Sequence, residues 1–338
     1  MATLKDVAKL AGVSYNTVSL VVNGIDKVAP ATKERVIKAI EKLNYKPNKM
    51  ARALASGRAD AIAFITNRFT SDIAINIFHE LEEGIHLAGN LYDYDLLPFS
   101  TLGKKEVKNK LLDSIIDGRK ADVLIMLNLK PDENQIKKIK TSKTGLILIN
   151  EESEDAYCIN TDNYKGAIIA TEYLIKKGKK NIAYIGGPDN TYETGIAFKQ
   201  RSQGFLDTMK KYNIEINEKI IKYSDSLIIN EGYVIMQQIF QDNNKVDAVF
   251  CGAGDTIGVG VIKAIKEAGI LIPDDIAVIG YGDLSMAEIV TPALTTIKEP
   301  YEKIGNEAFG AALEMIKTRK RIIKQVIFEP ILIIRNTA

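Results

Sequence analysis

The stretch Val13-Ser14-Tyr15-Asn16-Thr17-Val18-Ser19-Leu20-Val21-Val22-Asn23-Gly24 decides how the N-terminal part of the chain folds. Ser14 can cap a helix that runs to Val22, and Asn23-Gly24 stops it, because both residues tolerate the positive φ of a helix end. Upstream, Thr3 and Asp6 mark another helix start. Its apolar residues Leu4, Val7, Ala8 and Ala11 fall on one face at helical spacing. Gly12-Val13 breaks that helix before Ser14 begins the next. Downstream, Pro30 suits a first turn, and Val36, Ile40 and Leu43 give a third helix its buried side. Helix, tight glycine turn, second helix is the helix-turn-helix spacing, expected here over 4–23 within a head of 1–47.

The charge is divided along the chain. The whole molecule carries a formal +2, yet residues 1–60 hold eight Lys and three Arg against three Asp and two Glu, which leaves +6 there and −4 on the remainder. A basic end on an acidic body points to an anionic partner for that end. The second helix of such a unit enters the major groove of DNA N-terminus first. Tyr15 and Asn16 stand at that end, and an asparagine can pair bidentately with adenine. Ser14, Thr17, Ser19 and Asn23 offer hydroxyls and an amide to phosphate oxygens, which fix register without carrying sequence information. The competing reading is a small helical bundle with a solvated polar face.

Beyond Asp60 the periodicity changes. Apolar runs at Ala61–Thr66, Leu91–Leu97, Val123–Leu127, Leu146–Ile149, Ile182–Ile185, Ala248–Cys251, Ile276–Ile279 and Val326–Ile334 predict strands. Amphipathic helices are expected between them at Ile73–Ala88, Tyr164–Lys177, Gly195–Tyr212 and Thr256–Ala268. Strand-helix alternation means parallel sheets with helices on both faces, and this much chain predicts two such lobes. The expected fold class is therefore a small all-α helix-turn-helix head on an α/β two-lobe body.

Here the residues reach a family. Leu4-Lys5-Asp6-Val7-Ala8-Lys9-Leu10-Ala11-Gly12-Val13-Ser14, Val18-Ser19, Asn23-Gly24, Leu43-Asn44-Tyr45, Pro47-Asn48, Ala51-Arg52 and Leu54 resemble the DNA-binding head of the lactose/galactose repressor family. The resemblance resumes at Ile182–Gly187, Arg201, Gly204-Phe205, Ile279-Gly280-Tyr281 and Pro292–Ile297. It implies a homodimeric regulator, most simply a repressor, on a pseudo-palindromic double-stranded DNA operator. A hinge over 48–60 would form a helix only on DNA, with Leu54 wedged into the minor groove, a contact that unstacks bases and bends the duplex. The DNA contacts it implies are Thr3, Ser14, Tyr15, Asn16, Thr17, Ser19, Asn23, Tyr45, Asn48, Arg52 and Leu54. Leu20 departs from the family, whose members mostly carry Arg there, so the half-site is expected to differ at that base.

The resemblance also implies a periplasmic-binding-protein-like body over 61–338. Its first lobe is expected at about 61–160 plus 292–318 and its second at about 161–291 plus 319–338. Between them lies a small-molecule effector, expected to be a carbohydrate. Arg201 is the expected grip on it, with Asp255, Asp283 and Phe69 as further contacts. Gly282 stands where relatives place an acid, so Asp283 either substitutes for that acid or caps the following turn, and the register at Gly252–Asp255 is open by one residue. Ile304, Ala308, Ala311, Ala312 and Met315 form an apolar stripe that fits either the pairing surface or the helix's own sheet.

Other functional classes have little material. No apolar run reaches the roughly 18 residues a spanning helix needs, and the N-terminus lacks the apolar core of a secretory signal, so the expected location is the cytoplasm, at the nucleoid. Cys158 and Cys251 lie in apolar runs and read as reduced core residues. His79 and His86, the only histidines, sit seven apart on one helix without a carboxylate cage, which makes no metal site. Gly252-Ala253-Gly254-Asp255-Thr256-Ile257-Gly258 imitates a dinucleotide-binding turn, and an NAD-dependent oxidoreductase with an appended head is the enzymatic alternative. Its glycine spacing is wrong, and no acid closes the next strand. No cofactor and no catalytic residue are expected.

Overall fold

The computed structural model describes residues 2–22, 27–45, 58–67, 72–88, 94–188, 196–242 and 245–338. The chain divides into two units, Met1–Ala59 and Asp60–Ala338.

In the first unit, α1 (Leu4–Ala11), α2 (Tyr15–Val22) and α3 (Pro30–Lys42) follow the expected breaks. Thr3 and Asp6 close a reciprocal capping box, the Thr3 hydroxyl accepting from the Asp6 amide and the Asp6 carboxylate accepting from the Thr3 amide at 2.9 Å. Gly12 ends α1 at φ +63°, and a β-carbon there would meet no atom within 4 Å, so backbone conformation alone explains the glycine. The Ser14 hydroxyl accepts from the Thr17 amide at 3.1 Å and so starts α2. Val7, Ala8, Ala11, Val18, Val36 and Ala39 bury together, with Leu4, Val13, Val21 and Leu43 packed around them.

The second unit holds two six-stranded sheets among its described residues. The first runs β11 (Lys324–Phe328), β5 (Tyr157–Thr161), β4 (Gly145–Ile149), β3 (Val123–Leu127), β1 (Ala61–Thr66), β2 (Asp95–Ser100), all parallel. Around it lie α4 (Asp72–Ala88), α5 (Lys105–Asp117) and α6 (Glu133–Ser142). The second sheet runs β12 (Ile331–Ile333), β10 (Thr295–Lys298), β9 (Ala277–Gly282), β8 (Ala248–Phe250), β6 (Ile182–Gly186), β7 (Ile221–Tyr223), with only β12 antiparallel. Its helices are α7 (Asn163–Lys176), α8 (Ala197–Lys211), α9 (Ile229–Gln241), α10 (Asp255–Glu267) and the short α11 (Ser285–Ile289); α12 (Tyr301–Thr318) returns to the first lobe. Each sheet is covered by apolar side chains on both faces, which is why its strands read as continuous apolar runs.

Three crossings join the lobes, and two correct the expected boundaries. The sequence puts residues 292–298 in the first lobe, but β10 pairs with β9 in the second sheet, Thr295 opposite Ile279. It puts residues 319–328 in the second, but β11 pairs with β5 in the first sheet, Lys324 opposite Tyr157. The expected strand Val326–Ile334 is thus two strands in two sheets, broken at Glu329-Pro330, because proline has no N–H to give the ladder. The stripe Ile304, Ala308, Ala311, Ala312 and Met315 on α12 is buried against its own lobe's sheet and is not a free pairing surface. Both cysteines are free and buried. Among the described residues, no helix is long and apolar enough to cross a membrane.

Candidate functional site

Two surfaces carry the chemistry. In the head, Ser14, Tyr15 and Asn16 are exposed at the N-terminal end of α2, and Tyr15 presents 52% of its surface to solvent although it is a large aromatic. The Ser14 and Thr17 hydroxyls lie 2.8 Å apart, the first engaged in capping. Ser19 and Leu20 are half-buried further along the same helix. Thr3 is exposed, but its hydroxyl already serves the capping box. Tyr45 packs against the head's core, where burial raises its phenol. Asn23, Asn48, Arg52 and Leu54 lie outside the described residues, as does nearly all of the 48–60 segment.

In the body, strand order reverses between β1 and β3 in one lobe and between β6 and β8 in the other, the points outside whose C-terminal strand ends such sheets usually bind small molecules. On the second lobe's side stands Arg201, on α8 and 2% exposed. Its Nε donates to the Asn163 Oδ1 at 2.7 Å, Nη1 to the Gly252 carbonyl at 3.2 Å and Nη2 to the Glu299 carboxylate at 3.0 Å. The guanidinium lies 3.5 Å from the centre of the Tyr281 ring, close enough for cation-π attraction. Tyr301 donates to the same Glu299 oxygen at 2.9 Å, and burial pushes that phenol far above its usual range. Arg201 is therefore held by groups of its own chain.

Asp255 and Asp283 are engaged too. Asp255 opens α10 with no exposed surface, accepting from the Thr296 hydroxyl at 2.5 Å and the Leu284 amide at 2.7 Å. Burial pushes its carboxyl up to about 6. Strand β9 approaches it so closely that a β-carbon on Gly280 would come within 2.2 Å of its Oδ1. Asp283 pairs with Arg335 at 2.6 Å and Lys298 at 3.4 Å and anchors the C-terminal segment. Phe69 lies outside the described residues. The Gly252–Gly258 turn does join a strand to a helix. The Asp255 side chain at the first position of that helix is buried and bonded to Thr296 and Leu284, with no capping bond to the helix's own amides.

Four side chains not anticipated from the sequence stand on the first lobe's side. Asn128 and Asn150 each follow directly on a strand, β3 and β4, and Asn160 and Thr161 end β5. The side-chain oxygens of all four are buried without a hydrogen-bond partner, as is the Oε1 of Glu299. The Ile196 amide of the second lobe reaches the Asn150 carbonyl at 3.4 Å, so this edge faces the other lobe. An asparagine closing a run of buried strand residues was the available signal, in Val123–Asn128 and Gly145–Asn150. Among the described residues, no group of His, Cys, Asp and Glu is arranged to hold a metal ion.

Comparison with known proteins gives matches over both units. Residues 3–48 match the model for bacterial regulatory proteins of the lacI family, and residues 171–338 match a periplasmic binding protein-like domain. The HTH-type transcriptional repressor PurR of Vibrio parahaemolyticus is 32% identical over 339 residues, covering 100% of this chain and 98% of the relative. The HTH-type transcriptional regulator CelR of Thermobifida fusca is 28% identical over 342 residues, covering 99% and 98%. Among solved structures, a CelR–cellobiose complex is similar with TM-score 0.72 and 26% identity over 100% of both chains. A lac repressor dimer bound to operator and the anti-inducer ONPF has the same fold, with TM-score 0.84 and 23% identity over 99% of this chain and 98% of the other.

Proposed function

Because the chain belongs to the lacI family of bacterial regulatory proteins, we propose that it is a repressor whose homodimer reads a pseudo-palindromic operator under the control of a small molecule held between the lobes. DNA-binding transcriptional regulation is the activity of that family and of this chain. The observation that carries the reading is the N-terminal end of α2, where Tyr15 and Asn16 are exposed on a helix whose Val18 is buried in the head's core. An exposed tyrosine and asparagine on a basic three-helix unit have the shape and charge of a major-groove reader.

In this reading Tyr15 and Asn16 meet base edges, and Ser14, Thr17, Ser19 and Asn23 meet phosphates. Asn48, Arg52 and Leu54 belong to a hinge that orders on DNA. Thr3 contributes through its cap, and Tyr45 by bracing α3. The cellobiose held by CelR and the operator held by the lac repressor dimer support a carbohydrate effector and a dimer on DNA. Effector binding alters how the lobes close, and the change reaches DNA through the hinge. By linkage, whatever factor the effector imposes on operator affinity, the operator imposes on effector affinity. Nothing in this scheme needs catalysis, and it places the protein in the cytoplasm with the DNA.

Selection of binding sites from genomic DNA at fixed salt tests it. A recovered pseudo-palindrome supports the reading. Binding that is salt-sensitive but blind to sequence counts against it, since counterion release alone gives that behaviour.

A further inference from the structure

The ion pair at Arg201 decides which charge its surroundings accept, given the reading of the crevice there as the effector site. Its parts meet at the C-terminal ends of the second sheet's strands. Gly252 stands two residues beyond β8, Tyr281 is the penultimate residue of β9, and Glu299 follows β10 directly. The Phe198 ring of α8 fills the space over Gly187, the residue after β6, so closely that a β-carbon on Gly187 would come within 2.4 Å of it. The group therefore gathers where strand order reverses between β6 and β8.

Within this group the charge is balanced internally. Arg201 and Glu299 are both buried, with Nη2 and Oε2 3.0 Å apart. The other acceptors on the guanidinium, the Asn163 side chain and the Gly252 carbonyl, are uncharged, so Glu299 is the counter-charge. Tyr301 donates its hydroxyl to the same Glu299 oxygen, a bond that favours the ionised carboxylate. Lys298 on β10 and Arg335 on the C-terminal segment share Asp283, at 3.4 and 2.6 Å. An oxyanion arriving at Arg201 would have to displace Glu299 or lie beside it as a like charge.

We propose that Glu299 is a specificity-determining residue: it holds the place on Arg201 that a ligand's own carboxylate or phosphate would take, and so confines the effector to uncharged, hydroxyl-bearing molecules and excludes sugar acids and sugar phosphates. A hydroxyl both donates and accepts, and the pair offers a use for each. Arg201 carries N–H groups beyond the three that its partners accept, and Glu299 keeps one oxygen, Oε1, without a partner. An anion brings acceptors alone. It would also meet the Glu299 charge in a desolvated place, where like charges repel far more strongly than in water.

The test is titration calorimetry of the intact chain with sodium sulfate, the head being occupied by duplex DNA so that its basic surface takes no anion. The wild-type chain should show no sulfate binding with a Kd below about 1 mM. Glu299→Gln keeps the side chain's shape and an oxygen for Arg201 while removing the charge. Sulfate should then bind at least about tenfold more tightly and raise that variant's melting temperature, and adding Arg201→Met should abolish the gain. Glu299→Asp keeps the charge and should gain nothing. Wild-type sulfate binding below that limit overturns the proposal, and this reading needs no variant to fold. A folded Glu299→Gln chain without the gain overturns it too, as does an equal gain in Glu299→Asp, which would trace the site to loosened packing. Operator affinity keeps this inference apart from the effector reading. A sulfate site gained in Glu299→Gln that leaves operator affinity as in the wild type at the same salt keeps the role of Glu299 and removes this crevice as the effector site. A wild-type operator response to glucose 6-phosphate that Arg201→Met abolishes does the reverse.

Discussion

Arg201 is buried, yet its charge is stable there because Glu299, Asn163 and the Gly252 carbonyl accept its hydrogen bonds and Tyr281 underlies its plane. Removing one partner of a buried ion pair leaves the other uncompensated, at a cost of about 3 to 5 kcal/mol. Glu299→Ala should therefore lower unfolding stability by that order in urea titrations, whereas Glu299→Leu combined with Arg201→Met should cost much less than the two single changes added. If the single change is silent, the pair does not hold the crossing. Asp255 gives a second residue-scale test. Its folded carboxyl lies near 6 against an ordinary 3.8, so the native state keeps the proton longer than the unfolded chain does. Its contribution to stability falls as pH rises from about 4 to about 6 and is flat above, with a total change of at most about 3 kcal/mol. Asp255→Asn should remove that slope, read as the difference between the two stability-versus-pH curves; parallel curves would show that Asp255 does not titrate there. These engagements explain why the effector contacts were the least legible part of the sequence. A motif shows that Arg201, Asp255 and Asp283 are present. Whether each is already taken depends on Glu299, Thr296 and Arg335, residues far away along the chain.

At the scale of elements, local chemistry decided most of the outcome. The head's three helices begin and end where Thr3, Gly12, Ser14 and Pro30 require, because caps and positive φ act within a few residues. Gly12→Ala meets no steric obstacle, so it should cost only the left-handed backbone penalty of about 1 kcal/mol. Thr3→Ala removes the cap and should cost a similar amount. Both are read as a lower melting temperature for the head's unfolding, and a Gly12→Ala loss several times larger would mean that α1 and α2 meet at a different angle. The strands that the apolar pattern does not mark share one property. In β5 (Tyr157–Thr161), β7 (Ile221–Tyr223) and β10 (Thr295–Lys298), polar residues or brevity dilute the apolar run. Their pairing comes from neighbouring strands. The split of Val326–Ile334 was legible in Pro330, which stands inside the apolar run and cannot serve a continuous ladder.

On the scale of the whole molecule, the basic head and acidic body make DNA affinity a sum of two effects that mutation separates. Lysines and arginines on phosphates supply sequence-independent affinity that falls steeply with salt, while base contacts supply discrimination with little salt dependence. Asn16 belongs to the second class, being exposed at the leading end of α2 and uncharged. Asn16→Ala should weaken the selected operator by about 1 to 3 kcal/mol per half-site and leave non-specific DNA binding and the slope of affinity against salt unchanged. Leu20→Arg should act differently. It restores the residue usual in the family, adds one charge per subunit, steepens the salt dependence by about one counterion per head and shifts the preferred base facing position 20. Fluorescence anisotropy across a salt series, on the selected operator and on a scrambled duplex, separates the two variants. If Asn16→Ala lowers affinity for both duplexes equally, α2 is contacting phosphate and not reading bases. The sequence preference would then have to come from the shape of the duplex that the hinge bends.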